Sequence, residues 1–320
     1  SGGATCPSLL LEPSRTNLFG QSEYFGSGWS LSNINPTYNH SISPEGLQNA
    51  TLMSPTTGDA FLRETTNSFT SGNTYVASIY LKSNSGSNFD IDIRLRESGG
   101  GQDVIETKTI TTEWQRFEVS LTATITGTYQ FWVGGSTTWS TGEDLLIWGA
   151  QLEQGSYPTS YIPNHSGGTI TRGADAQTLD ITNFVSATEG TLFFELKDAR
   201  SHSATNKILG IGDGSGVDNF FGLYVNNFET GVVGIRNRQG NSDLMNTAIP
   251  DPENAKVAIK FGASGVKTFL NGSEFQTSAT AYTGWATSFD LNTAVGDVDL
   301  KQYLLFDTAL SDADCITLTT

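Results

Sequence analysis

From Tyr75 to Glu153, apolar and polar residues alternate between clusters of Gly, Ser, Asn and Thr. That is the period of strands with one face in a core and the other in water. Tyr75–Leu81 runs into the turn-forming Lys82-Ser83-Asn84-Ser85-Gly86. Phe89–Leu95 follows as the next strand, and Ser98-Gly99-Gly100-Gly101 ends it. Within that strand Ile91, Ile93 and Leu95 fall on one side and Asp90, Asp92, Arg94 and Arg96 on the other. Trp114 is out of phase with Phe117, Val119 and Leu121, so the spacing predicts a strand start or bulge near Gln115. Tyr129, Phe131 and Val133 share a face, which leaves Gln130 and Trp132 on the more polar one, and Leu145–Trp148 completes the series.

Residues 164–178 are rich in Asn, Ser, Gly and Thr, lack apolar periodicity and follow Pro163, so they read as a connector. A second strand series begins beyond it at Gly190–Lys197, Lys207–Ile211 and Phe220–Val225. Val257, Ile259 and Phe261 lead through Gly262-Ala263-Ser264-Gly265 into Val266–Leu270, a hairpin, and Asn271-Gly272 turns the chain again. The tail moves from a strand into a short helix with Ser311 as its N-cap. The expectation is an all-β fold of two tandem β-sandwiches, at 1–165 and 179–320, joined by a linker at 166–178.

Composition agrees with many short strands and turns. The 320 residues are 37% hydrophobic and 16% charged, with 35 Gly. The net charge of −16 repels phosphate backbones and anionic bilayers, so nucleic acid is not an expected partner. No apolar run approaches the roughly 20 residues that span a bilayer, so membrane insertion is not expected either. Cys6 and Cys315 stand near opposite ends, and the sequence is compatible with a bridge or with two thiols that never meet.

The run Trp148-Gly149-Ala150-Gln151-Leu152-Glu153-Gln154-Gly155-Ser156-Tyr157-Pro158-Thr159-Ser160-Tyr161-Ile162-Pro163, together with Leu9–Phe19, resembles a segment of bacteriophage tail-fibre and other virion surface proteins. Asn17-Leu18-Phe19, Gly28-Trp29-Ser30, Gly72-Asn73-Thr74-Tyr75 and Thr111-Thr112-Glu113-Trp114-Gln115-Arg116 are similar to the jelly-roll carbohydrate-binding modules of families four, nine and sixteen. The second half, with Asn271-Gly272 and Leu310-Ser311-Asp312-Ala313-Asp314, resembles the concanavalin-A-like, laminin-G-type lectin fold. The resemblance implies a virion surface or extracellular location and a glycan or host cell-surface polysaccharide as ligand. It also implies other virion proteins as partners and a homo-oligomer, although no heptad run is present to drive one. It places Trp29, Trp114 and Trp148 in the core.

Catalytic residues are not evident. Jelly-roll glycosidases carry Glu-x-Asp-x-x-Glu on one strand. Aligning Asp92 with the central Asp puts Asp90 at the nucleophile position and Leu95 at the acid position, so the two-carboxylate mechanism fails. His40, His165 and His202 have no acid or nucleophile partner at a recognisable spacing. Gly210–Gly216 lacks the spacing and following helix of a nucleotide site and reads as a loop. Asp213, Asp218 and Asn219 on that loop offer oxygen ligands for a structural Ca²⁺, or form an ordinary acidic turn. No cofactor is required.

Sugar recognition calls for flat aromatic faces beside planar hydrogen-bonding groups. The candidates are Trp132 with Gln130, Trp139 in a Ser/Thr-rich turn, Arg94 and Arg96, and the loop pair Tyr282 and Trp285. For each of them packing or ion pairing is the alternative role. The reading is a non-enzymatic glycan-binding virion protein. The alternatives are a purely structural spacer of the virion, and a polysaccharide-degrading enzyme or its accessory binding module.

Overall fold

The computed structural model describes residues 9–320 apart from 136–138, 184–187, 202–206, 215–218, 226–232, 241 and 293–295. Cys6, His202 and Asp218 lie outside the described residues. Apart from the helix Asp312–Thr319, the described elements are all strands, which bears out the all-β expectation. Among the described residues no helix is long and apolar enough to cross a membrane. The chain divides into two compact units, residues 15–172 and residues 1–14 with 173–320.

The 15–172 unit stacks two antiparallel five-stranded sheets. The front sheet orders Trp29–Ser32, Phe61–Phe69, Gly127–Gly134, Phe89–Glu97 and Asp103–Ile110. The back sheet orders Gln115–Thr122, Thr74–Ser83, Leu145–Gln154, Ala50–Pro55 and Ile34–Ser41. The alternation read from the sequence governs the interior. Ile91, Ile93, Leu95, Tyr129, Phe131 and Val133 from the front sheet meet Ala77, Ile79, Leu81, Leu145 and Ile147 from the back sheet in one core. Each Val, Leu, Ile or Phe side chain among them contributes about 1.5–3 kcal/mol on full burial. The strand expected to start near Gln115 does so, and Trp114 stands before it, only half-buried, with its indole N–H on the Ile42 carbonyl at 3.1 Å. Trp114 is therefore not a core residue, whereas Trp29 is.

The exit run folds back against the back sheet through buried polar groups. The Asn17 side chain is the hub. Its amide nitrogen donates to Ser22 Oγ (2.8 Å) and the Ile162 carbonyl (2.9 Å), and its carbonyl accepts from the N–H groups of Phe19 and Leu152 (both 3.1 Å). Gln151 Oε1 accepts the Ile162 N–H at 2.6 Å, and Glu153 accepts the backbone N–H and hydroxyl of Thr159 at 2.9 and 2.5 Å. Trp148 is buried on the sheet's other face against Tyr80 and Tyr161. Gly149 takes a positive φ of 64° at the bulge between them, where a Cβ would press on the Tyr80 ring at 3.1 Å.

The stretch 166–178 is more ordered than a connector. Ile170–Arg172 pairs antiparallel with Arg15–Asn17, and Ala176–Asp180 is a strand paired with Ser288–Asn292. Asn164 is buried, donating to the carbonyls of Phe19 and Gly168 at 2.8 and 2.7 Å.

The second unit is also two stacked sheets. One orders Leu9–Leu11, Gly296–Phe306, Gly190–Ser201, Lys256–Gly262, Gly265–Leu270 and Ser273–Ser278. The other orders Ala176–Asp180, Ser288–Asn292, Lys207–Gly212, Phe220–Val225, Val233–Gln239 and Ser242–Ala248. Leu192, Phe194, Val257, Ile259 and Phe261 of the first meet Leu209, Ile211, Phe221 and Ile235 of the second. The hairpin closes where expected, with Gly262 opposite Gly265, and Asn271 and Gly272 both adopt positive φ (46° and 81°), as a two-residue type I′ turn requires. Gly210–Gly212 belongs to a strand rather than a loop. Gly210 faces Gly222, and a Cβ there would lie 2.1 Å from the Phe221 carbonyl oxygen.

Ser311 caps the helix, its hydroxyl accepting the Asp314 N–H at 3.1 Å. Lys260 and Lys267 both donate to Asp312 and hold its carboxyl below the usual range. Cys315 packs on Phe193, Ala258 and Phe269 as a free, buried thiol, pushed up to about 11 by burial.

Candidate functional site

The outer face of the front sheet carries polar and aromatic side chains brought into rows by strand register. Ser30 pairs with Arg63, Arg63 with Trp132, Trp132 with Arg94, and Arg94 with Ile105. In the neighbouring row Gln130 pairs with Arg96 and Arg96 with Asp103. Trp132, Gln130, Arg94 and Arg96, singled out from the sequence, therefore stand together. The period of two that sends Phe131 and Val133 inward sends Trp132 out of the core.

Trp132 is nevertheless only 9% exposed. Phe61 lies against it at 4.6 Å between ring centroids, and the guanidinium carbons of Arg63 and Arg94 sit 4.9 and 5.5 Å from its centroid. Its indole N–H donates to Gln130 Oε1 at 2.9 Å. The ring is a spine that orders two guanidinium groups by cation–π attraction, not a bare platform.

The two guanidinium groups differ. Arg94 is committed to Asp103 by a bidentate pair, Nε to Oδ1 at 2.9 Å and Nη2 to Oδ2 at 2.5 Å, with Arg96 Nε 4.0 Å from the same carboxylate. Arg63 has no carboxylate partner among the described residues; it rests over Phe61 and Trp132, and its Nε is buried without an acceptor. Asp90 and Asp92, on the same face, accept the hydroxyls of Thr109 and Thr107 at 2.6 and 2.8 Å. Ile105, 51% exposed, supplies an apolar rim. The face thus offers one uncommitted planar fork of donors beside a braced aromatic. That arrangement suits bidentate hydrogen bonding to paired hydroxyls or a carboxylate.

Arg63 and Phe61 escaped the sequence reading because polar Thr65-Thr66-Asn67 follow them and the register slips there, between Tyr129 and Phe131 on the partner strand. The available signal was short, an inward Leu62 flanked by outward Phe61 and Arg63.

The remaining candidates lie elsewhere. Trp139 is 0% exposed, a core residue whose indole N–H donates to the Glu143 carbonyl at 2.8 Å, so it is not the exposed turn residue expected. Tyr282 is buried, and Trp285 packs beside it against Phe221 in the second unit's core, its N–H on Gln239 Oε1 at 3.1 Å. They cap that sandwich rather than open from it. Asn219 donates its amide to Asp213 at 2.7 Å and uses its carbonyl for the Gly240 N–H, so the two do not converge on a cation. Among the described residues no group of three His, Cys, Asp or Glu side chains could hold a metal ion.

Residues 27–133 match the family model described as a carbohydrate binding domain. No relative was found among curated protein sequences. Similar solved structures include the CBM22-1 xylan-binding domain of Paenibacillus barcinonensis Xyn10C, at 11% identity and TM-score 0.32, covering 48% of this chain and 100% of that one. The Ruminococcus gnavus IT-sialidase CBM40 bound to α2,3-sialyllactose is similar at 18% identity and TM-score 0.32, covering 45% and 93%. An exo-β-agarase is similar at 7% identity and TM-score 0.36, covering 46% of this chain and only 26% of that one.

Proposed function

We propose that the protein binds carbohydrate through the outer face of the front sheet, with Arg63 as the principal donor. Arg94 and Arg96 are secondary contacts, and Trp132 with Gln130 holds the donors in place. The observation that carries this is the Arg63 guanidinium, ordered on an aromatic surface yet without a carboxylate partner among the described residues. Ordering a rotamer-rich side chain before binding removes part of the entropic cost of binding. The match of residues 27–133 to a carbohydrate binding domain supports the ligand class. The ligand is a glycan presenting vicinal hydroxyls or a carboxylate to the fork.

In this reading the module belongs to a bacteriophage virion surface protein that meets host glycans, with a lectin-like second unit and no hydrolytic role of its own. The runs Leu9–Phe19 and Trp148–Pro163 support the virion context. A second reading, an accessory module of a polysaccharide-degrading enzyme, is favoured by the family match alone.

Screening the full chain on a glycan array, followed by calorimetric titration of the best ligand, tests the site. A hydrogen bond to a charged donor contributes about 1.5–3 kcal/mol, so Arg63→Ala should weaken binding by roughly 10- to 150-fold. Arg63→Lys, which keeps the charge and loses the fork, should recover only part of the affinity. Unchanged affinity in Arg63→Ala, with the fold intact, refutes the assignment.

A further inference from the structure

A second cluster of recognition chemistry lies at the opposite sheet of the same unit. Tyr24, Tyr38, Glu23, Asn49 and His165 line a cavity of about 180 Å³ beside the edge strand Ile34–Ser41. The two tyrosine rings stand side by side, centroids 5.0 Å apart and tilted by 42°, and are 48% and 37% exposed. Exposed neighbouring aromatics on an ordered edge are a cost in water unless something covers them. Their position is built in. A Cβ at Gly26 would lie 2.6 Å from the Tyr24 ring and 2.7 Å from the Tyr38 hydroxyl, so the glycine is what lets both rings lean over the loop. Pairing of the edge strand slips between Thr37 and Ser41, and Asn39 there takes a left-handed φ of 52°.

The polar lining is equally ordered. Glu23 accepts from Asn49 Nδ2 at 2.9 Å and from the Tyr161 hydroxyl at 2.8 Å, and it faces His165 Nε2 at 3.5 Å. Asn49 Nδ2 also donates to Glu45. Asn49 lines the cavity as well, held by these two carboxylates, with its Oδ1 buried.

We propose that this cavity is a second saccharide site, independent of the arginine-bearing face, that takes one neutral sugar ring. The tyrosine rings pack on its C–H surface, and the polar lining of Glu23, Asn49 and His165 meets its hydroxyls. Size and charge both set the class. The space of about 180 Å³ suits a single ring and is below the roughly 300 Å³ or more of drug-sized pockets. Two carboxylates, Glu23 and Glu45, sit on Asn49, so an acidic sugar is repelled here while the guanidinium face attracts it. One module would then read two different sugars, and simultaneous engagement on a single polysaccharide would raise its avidity.

The test titrates the full chain with methyl glucoside, methyl galactoside and N-acetylglucosamine, followed by saturation-transfer and tyrosine-shift NMR. The expected result is millimolar binding of at least one sugar that shifts Tyr24 and Tyr38 resonances and persists in Arg63→Ala. Affinity should fall at least tenfold in Tyr24→Ala/Tyr38→Ala and in Asn49→Ala. Tyr24→Ala alone, an exposed substitution that spares the core, should weaken binding as well if the double variant does not fold. Absence of binding by all three sugars, or binding unaffected by Tyr24→Ala and Asn49→Ala, overturns the proposal. Loss of binding in Arg63→Ala alone would assign the sugar to the sheet face and overturn it too.

Discussion

Replacing Asn17 by Ala removes the one side chain that ties the entry segment, the last strand of the back sheet and the exit run together. Four hydrogen bonds disappear, and three of their partners are backbone groups in the buried seam, the N–H of Phe19, the N–H of Leu152 and the carbonyl of Ile162. Asn17 itself is 0% exposed, so water has no ready access to the orphaned groups. At about 1–3 kcal/mol for each buried group left unsatisfied, the loss should reach about 3 kcal/mol or more. That is a large part of the roughly 5–15 kcal/mol available to a domain.

Urea unfolding followed by tryptophan fluorescence reads the loss directly, since Trp148 is packed against Tyr161 of the exit run. Asn17→Asp separates hydrogen bonding from shape. It keeps both accepted bonds but sets a carboxyl oxygen against the Ile162 carbonyl, so it should recover only part of the stability that Asn17→Ala loses. An Asn17→Ala variant within about 1 kcal/mol of the parent would refute the reasoning.

Trp139→Ala should cost about 3–5 kcal/mol as a large core truncation, while Trp132→Ala, outside the core cluster, should cost clearly less. Paired thermal melts decide this, and equal losses would sink the assignment of the two indoles to different sides of the sheet. The helix Asp312–Thr319 should be acid-sensitive. Lys260 and Lys267 hold the Asp312 pKa below its unfolded value, so the stabilisation is complete above the unfolded carboxylate range and is lost as pH falls through the lowered folded value. The labelling rate of Cys315 with a disulfide reagent that works in acid should rise on acidification in the parent. It should already be raised at neutral pH in Asp312→Asn, and an unchanged rate in that variant would exclude the anchor.

Strand and face were legible wherever the deciding information was local. The alternation of Phe89–Glu97 and Gly127–Gly134 is enough to separate Ile91, Ile93, Phe131 and Val133 from Arg94, Arg96, Gln130 and Trp132, and the sheet keeps that separation. Asn271-Gly272 announces its turn because so few residues tolerate positive φ at both positions. Trp139 was misplaced because its burial depends on how a Ser/Thr-rich turn folds over the core, which no neighbour in sequence reports. The polar exit run was visible as a motif, yet the partners of Asn17 lie up to 145 residues away. A chain read in one dimension cannot reveal that a set of amides is mutually satisfied. Ile170–Arg172 passed as linker for a similar reason, since three residues are too short to show a period and their strand exists only because Arg15–Asn17 lies alongside.

The short pairing of Leu9–Leu11 with Gly296–Phe306 gives the molecule the topology of one domain inserted into another. During synthesis the first strand of the outer domain leaves the ribosome early and waits for its neighbour some 290 residues later, while the inserted domain can complete itself in between. Because the two ends of that inserted domain are laced side by side as Arg15–Asn17 and Ile170–Arg172, it is a natural cassette. It could be lifted out as 15–172, or exchanged for another, without cutting a strand of its host. Removing residues 1–14 would instead strip the Leu9–Leu11 edge from the sheet of the outer domain.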